Sequence, residues 1–325
     1  MKTNTDNRQL WLLAASAAAL VAVAGCSDDL LITSQLERTR VVGARVVTAD
    51  PGRADVAPGE AASVEWIVLG PQAPATLDWA FAQCTALGGN CVDALTPVGQ
   101  GSGTPVSVPF TTPAADALTD GHVPMMMGAV CADGTLGLDA ATQLPSCTGS
   151  DASGTTARYV IPFIAGDATP NHHPNLANDR LDVGGVEWTT PVAGDSGGPC
   201  DGSDGTPVVT ARPNDDDDAK VELRLTTDED DRESYTPAPM EGTTPAPTLE
   251  ELQISLFATA GKFESSYLAI FKDDTRPNAD VTVKWKPPKA ADVPAAGLTV
   301  QFHFVMRDGR GGLDLTHRTL CMVAP

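Results

Sequence analysis

Leu298-Thr-Val-Gln-Phe-His-Phe304 decides the fold class: Leu298, Val300, Phe302 and Phe304 share one side of an extended chain, and Thr299, Gln301 and His303 the other. Successive side chains of a strand point to opposite faces, so a period of two marks a half-buried strand. Working back from there, Val281, Val283 and Trp285 alternate with Thr282 and Lys284, and Leu252, Ile254 and Leu256 with Gln253 and Ser255. Val221, Leu223 and Leu225 alternate with Glu222 and Arg224. The first half repeats the theme at Val64-x-Trp66-x-Val68, Leu77-x-Trp79-x-Phe81 and Val106-x-Val108-x-Phe110, then over Val123 to Val130 and Tyr159 to Ile164. Turn formers lie between these runs: Pro51-Gly52, Pro58-Gly59, Gly88-Gly89-Asn90 and the glycines from Gly99 to Gly103. Short strands at this spacing, with almost no helical pattern, predict an all-β chain folded as antiparallel sandwiches. Thr248-x-x-Glu251 fits a capping box opening a short helix, but the alternation from Leu252 favours a strand.

The length of 325 residues allows two domains of ordinary size. The reading divides the chain into a signal peptide (1–25), an anchor and tether (26–40), a first sandwich (41–166), a linker (167–182) and a second sandwich (183–325). The linker is placed where Pro170, Pro174 and a run of asparagines and histidines interrupt the alternation. Thr236 to Pro247, rich in Pro and Thr, is expected to be an exposed extended loop.

At the start, Lys2 and Arg8 precede an uncharged, Leu/Ala/Val-rich run from Leu10 to Ala24, the pattern of a secretory signal peptide. It ends in Val23-Ala24-Gly25-Cys26, which resembles the lipobox of bacterial lipoproteins: an aliphatic residue, two small ones, then the cysteine that is lipidated. The resemblance implies cleavage before Cys26, a diacylglycerol on its sulfur, an acyl chain on its new amino group, and so a membrane partner held through several acyl chains. Ser27 after the anchor, rather than Asp, implies the outer membrane by analogy with Gram-negative sorting.

Formal net charge is −21 for the full chain, and loss of Lys2, Arg8 and Asp6 with the signal makes it −22. So acidic a protein repels phosphate backbones, which excludes nucleic acid as a partner. Acidic runs (Asp215 to Asp218 and Asp228 to Asp231) are read as solvated loop residues. Once Cys26 is lipidated, Cys84, Cys91, Cys131, Cys147, Cys200 and Cys321 remain, an even number that implies disulfides in an exported chain. Six cysteines permit about 15 pairings; local closure favours Cys84–Cys91 and Cys131–Cys147, leaving Cys200–Cys321. No Cys-x-x-Cys occurs, which ranks a zinc site below disulfides.

Gly194-Asp-Ser-Gly-Gly-Pro199 resembles, letter for letter, the nucleophile motif of trypsin-like serine proteases. That resemblance implies Ser196 as nucleophile, a histidine base and an oxyanion hole in the glycine turn. Its context departs from the family. His122 sits in Gly-His-Val-Pro and His172-His173 in Asn-His-His-Pro, not in a stretch like Ala-Ala-His-Cys. Val192 stands where the family has cysteine, Thr190 where it has its specificity residue, and a polar turn follows instead of a hydrophobic strand. The hexapeptide is therefore read as a glycine turn placing Cys200, with no catalytic residue and no metal or other cofactor assigned. The alternative is a hydrolase using Ser196 with His122 as base. His122 beside Met125, Met126 and Met127 suggests soft-metal binding, but consecutive residues of a strand face opposite sides and such methionines fill cores. A third reading, a calcium-dependent adhesion or carbohydrate-binding module, would use Asp215 to Asp218 with Asp201 and Asp204, which lack EF-hand spacing.

The C-terminal stretches Phe257-Ala-Thr-Ala-Gly261, Trp285 followed by Pro287-Pro288, Arg307-Asp-Gly-Arg-Gly-Gly312 and Arg318-Thr-Leu-Cys321 resemble the endings of Ig-like domains in bacterial surface lipoproteins of the myxobacterial type. The resemblance implies that the Arg-Asp-x-x-Gly-Gly turn joins the last two strands, Leu298–Met306 and Leu315–Val323, with Gly309, Gly311 and Gly312 supplying positive φ. It implies an Ig-like architecture and a cell-envelope location, with an envelope protein or polysaccharide as partner. The function expected is a non-catalytic structural or binding module.

Overall fold

The structure, a computed structural model, describes residues 34–72, 76–118, 121–132, 134–139, 144–148, 154–164, 169–177, 179–189, 200, 202, 205–211, 220–237 and 246–325. Cys26, the hexapeptide around Ser196, Asp201, Asp204, Asp215 to Asp218 and most of the Pro/Thr-rich loop lie outside these residues.

The fold is all-β, built from two β-sandwiches. In the first half the strands are β1 (Arg40–Val47), β2 (Ala61–Leu69), β3 (Asp78–Leu87), β4 (Asn90–Cys91), β5 (Thr96–Ser102), β6 (Val106–Thr111), β7 (Val123–Cys131), β8 (Thr135–Leu138), β9 (Pro145–Thr148) and β10 (Gly154–Val160). One sheet runs β1-β2-β6; the facing one runs β10-β7-β3-β4 with β5 also on β3, and β8 and β9 form a separate hairpin. Trp66 from β2 stacks on Phe81 from β3 with centroids 4.4 Å apart, so the two sheets meet through their largest inward side chains. Gly128 of β7 lies against Ala80 and Phe81 so closely that a Cβ there would stand 2.1 Å from the Ala80 carbonyl oxygen, which is what the missing side chain provides.

The second half comprises β11 (Arg180–Val183), β12 (Val186–Glu187), β13 (Val208–Thr210), β14 (Val221–Thr226), β15 (Ser234–Tyr235), β16 (Thr248–Leu249), β17 (Leu252–Ala258), β18 (Lys262–Phe263), β19 (Tyr267–Ile270), β20 (Asp280–Lys286), β21 (Leu298–Arg307) and β22 (Leu313–Val323). Sheets β12-β11-β14-β20-β18 and β13-β22-β21-β17-β19 enclose Trp188, Trp285 and Phe302, each indole 5.0 Å edge-on to the Phe302 ring. Both indole N–H groups are satisfied: Trp188 donates to the Thr319 carbonyl (2.9 Å) and Trp285 to that of Ala260 (3.1 Å). Leu252 opens a strand, as the alternation predicts, and no helix begins at Thr248.

The named strands pair antiparallel with one exception, β13, which runs parallel to β22 with Val208 opposite Cys321. The chain reaches that edge from Cys200, which is bonded to Cys321; Cys84 is bonded to Cys91 and Cys131 to Cys147. Met125, Met126 and Met127 are all buried, because β7 has apolar neighbours on both faces: Met126 joins the core between the sheets, while Met125 and Met127 pack with Cys84 and Ala86.

Thr33–Pro325 forms one compact unit. Within it a third apolar cluster, Leu36, Ile67, Leu69, Val305 and Leu313, ties the outer face of β1 and β2 to that of β21 and β22. Among the described residues no helix is long and apolar enough to cross a membrane.

Candidate functional site

The seam between the two sandwiches is organised by the turn after β21. Asp308 is only 2% exposed, a position an ionised carboxylate holds only with full hydrogen bonding. Its Oδ1 accepts the N–H groups of Arg310 (2.8 Å), Gly311 (2.9 Å) and Gly312 (2.8 Å), and its Oδ2 accepts the Asn171 side-chain amide at 2.8 Å. Three backbone donors on one oxygen form an anion nest supplied by the carboxylate's own loop. The turn joins β21 to β22 as expected, but its glycines differ in role. Gly309 (φ 76°) and Gly311 (φ 115°) adopt left-handed conformations. Gly312 does not; it leaves room for Asp308, whose Oδ2 would lie 2.0 Å from a Cβ there.

Segment 169–173 threads this seam. The Asn171 backbone N–H donates to Asp55 Oδ2 (2.8 Å), and its carbonyl accepts from Ala54 (2.7 Å). His173 braces the halves: Nε2 meets the Val46 carbonyl at 3.0 Å and Nδ1 accepts the Leu313 N–H at 3.1 Å. Only the neutral ring protonated on Nε2 satisfies both contacts, and burial correspondingly lowers its pKa. His172 is half-exposed and pairs through Nδ1 with Glu233. Neither histidine sits in a metal cluster: among the described residues no group of three or more His, Cys, Asp or Glu side chains is arranged to hold a metal.

Arg310 extends from the turn to Glu250 Oε1 (2.8 Å), Glu233 Oε2 (3.3 Å) and the Thr169 carbonyl (3.1 Å), with its guanidinium 4.7 Å from the centre of the Tyr235 ring. Glu250, 1% exposed, is pushed up to about 7 by burial and by the Asp308 charge, against the opposing hydrogen bond from Glu233 N–H and the Arg310 pairing. Burial likewise raises Asp55. Beside the turn lies a cleft of about 500 Å³, open between the edge strands β1 and β10 and lined by Trp66, Arg158, Tyr159, Arg307 and Leu313. Arg307 is already engaged, donating to Ser255 Oγ (2.9 Å) and to the Val42 carbonyl. Among the described residues no histidine is hydrogen-bonded to a serine, threonine or cysteine side chain, the contact a nucleophile–base pair needs. His122 stands partly exposed at the entry to β7.

Sequence reasoning misses the buried charges. Asp231, read with its neighbours as solvated, is 3% exposed; it forms a capping box with Asp228 at a short 3₁₀ turn and accepts the Asn175 N–H at 2.6 Å. Asp179, 6% exposed, shares the Asp228 N–H with Asp231, at 2.9 and 3.1 Å. Two buried carboxylates converging on one donor repel each other, and burial together with Asp231 raises the Asp179 pKa far above the carboxylate range. The only local signal was the capping-box spacing from Asp228 to Asp231.

No family model matches this chain, and no curated protein matches it.

Proposed function

We propose that the protein is a cell-envelope lipoprotein, anchored through acyl chains on Cys26 and serving as a non-catalytic structural or binding module on the outer membrane.

 The reading rests on Val23-Ala24-Gly25-Cys26 at the end of a charged, then apolar, signal sequence. Three disulfides support export, because such bonds persist in oxidising compartments. Rigidity supports a module: two sandwiches share a third apolar cluster and a hydrogen-bonded seam, an arrangement suited to holding a surface in a fixed pose. Fold alone supplies no reaction. The test is metabolic labelling of the full-length chain with an alkyne-bearing palmitate analogue, beside Cys26→Ser. The proposal expects label on the parent and none on the variant, which keeps its uncleaved signal sequence. An unlabelled parent, or label that survives Cys26→Ser, overturns it.

A further inference from the structure

The edge strand β19 carries two large exposed side chains, Tyr267 at 56% and, directly after the strand, Phe271 at 59%. Leu268 and Ile270 turn into the core, so Tyr267 and Ala269 lie on the opposite, outward side, with Gln253 of β17 exposed across from Ala269. Phe271 opens a tight turn in which the Asp274 N–H donates to the Phe271 carbonyl at 3.0 Å. Arg232, 7% exposed, holds this turn from below: its guanidinium donates to the Phe271 carbonyl (2.8 Å), to the Asp274 carbonyl, and through Nε to the Glu250 carbonyl (3.0 Å). Burying a guanidinium is costly, and here three carbonyls offset that cost by fixing the loop. The result is an exposed aromatic ring on a rigid mount.

Beside that ring is a hollow of about 330 Å³, lined by Ala269, Ile270, Phe271, Asp274, Arg276 and Asp280 among others. That is the lower end of the range, about 300–1,000 Å³, typical of small-ligand sites. Arg276 sits between two carboxylates, contacting Asp274 at 2.7 Å and Asp280 at 2.6 Å. Asp274 is held down to about 2 by hydrogen bonds from Arg276, so it stays an ionised acceptor throughout the neutral range. Arg276 occupies both oxygens of Asp274, its backbone N–H and Nε reaching Oδ1 and its Nε and Nη2 reaching Oδ2. Asp280 accepts Arg276 Nη1 on Oδ1 and pairs with Arg224 through Oδ2 at 3.2 Å, which leaves a lone pair on each of its oxygens.

We propose that this hollow binds a neutral saccharide, which lays the C–H face of a sugar ring on Phe271 while its hydroxyls donate to the carboxylate of Asp280, held in place by Arg276 and Asp274. An aromatic face offers electron-rich surface to C–H groups, and fixed carboxylates offer acceptors to neighbouring hydroxyls. The formal charge of −21 disfavours an acidic polysaccharide and leaves a neutral one. The site stands on the fold and does not depend on the anchor at Cys26.

Saturation-transfer NMR on the mature chain in detergent tests it, with chitotetraose, cellotetraose and maltotetraose as probes at millimolar concentration. At least one sugar is expected to bind, and Phe271→Ala to weaken it about tenfold, with Phe271→Tyr restoring most of the affinity. Asp280→Ala is expected to weaken the same sugar. Silence from all three sugars, or a Phe271→Ala chain that binds as well as the parent, overturns the proposal and leaves the palmitate result untouched.

Discussion

Glu250 sets two effects against each other, and Glu250→Gln decides between them. Its carboxylate has Arg310 at 2.8 Å and accepts the Glu233 N–H at 3.1 Å, both favouring charge. Burial to 1% exposure and the neighbouring Asp308 charge disfavour it and win, raising the pKa from 4.5 to about 7. A group whose folded pKa is raised binds a proton in the fold that the unfolded chain has released. Its stability contribution is therefore complete below pH 4.5 and is lost as pH rises to about 7. A shift from 4.5 to about 7 corresponds to a loss of about 3 kcal/mol. Glutamine has the shape of the protonated acid and does not titrate. Urea unfolding followed by tryptophan fluorescence, at pH 5 and at pH 8, should find the two chains of similar stability in acid. In base Glu250→Gln should be the more stable, by about 3 kcal/mol. The difference between the chains isolates Glu250 from the other titrating groups. A difference that does not change with pH would refute the reasoning, and so would a variant that loses stability in base, since the Arg310 pair would then outweigh burial.

Asp308→Ala should leave three turn N–H groups and the Asn171 amide without their acceptor, costing about 3 kcal/mol or more by urea unfolding. Gly128→Ala places a methyl 2.1 Å from the Ala80 carbonyl oxygen; overpacking of about 1–3 kcal/mol should appear as a lowered melting temperature. Replacing Cys200 and Cys321 together by serine opens a link spanning 121 residues, which chain entropy values at about 4–5 kcal/mol. The urea midpoint should drop accordingly, and reducing agent should add less to the variant's loss than to the parent's.

Alternation alone carried much of the architecture. Val300, Phe302 and Phe304 are at most 2% exposed, as their spacing requires, and the strands around Trp66, Leu223, Ile254 and Trp285 follow the same rule. It failed where a strand is buried on both faces: Val305 lies on the mixed side of β21 yet is fully buried, because Ile67 and Leu69 of the other sandwich and Leu36 of the segment before β1 cluster with it. The methionines of β7 repeat that lesson.

Neighbouring residues alone carried the all-β class and the strands with a clear apolar face of period two, such as β2, β14, β17, β20 and β21. They misled at Gly99 to Gly103, read as a turn but lying mostly in β5, where a Cβ on Gly101 would stand 2.6 Å from Trp79, and over Tyr159 to Ile164, where β10 ends at Val160. Only the tertiary structure decided which charges are buried. Asp308 and Asn171 are 137 residues apart and His173 and Leu313 are 140 apart. A charged side chain enters the interior only when donors from distant segments meet it there, and no local pattern records where those donors will be.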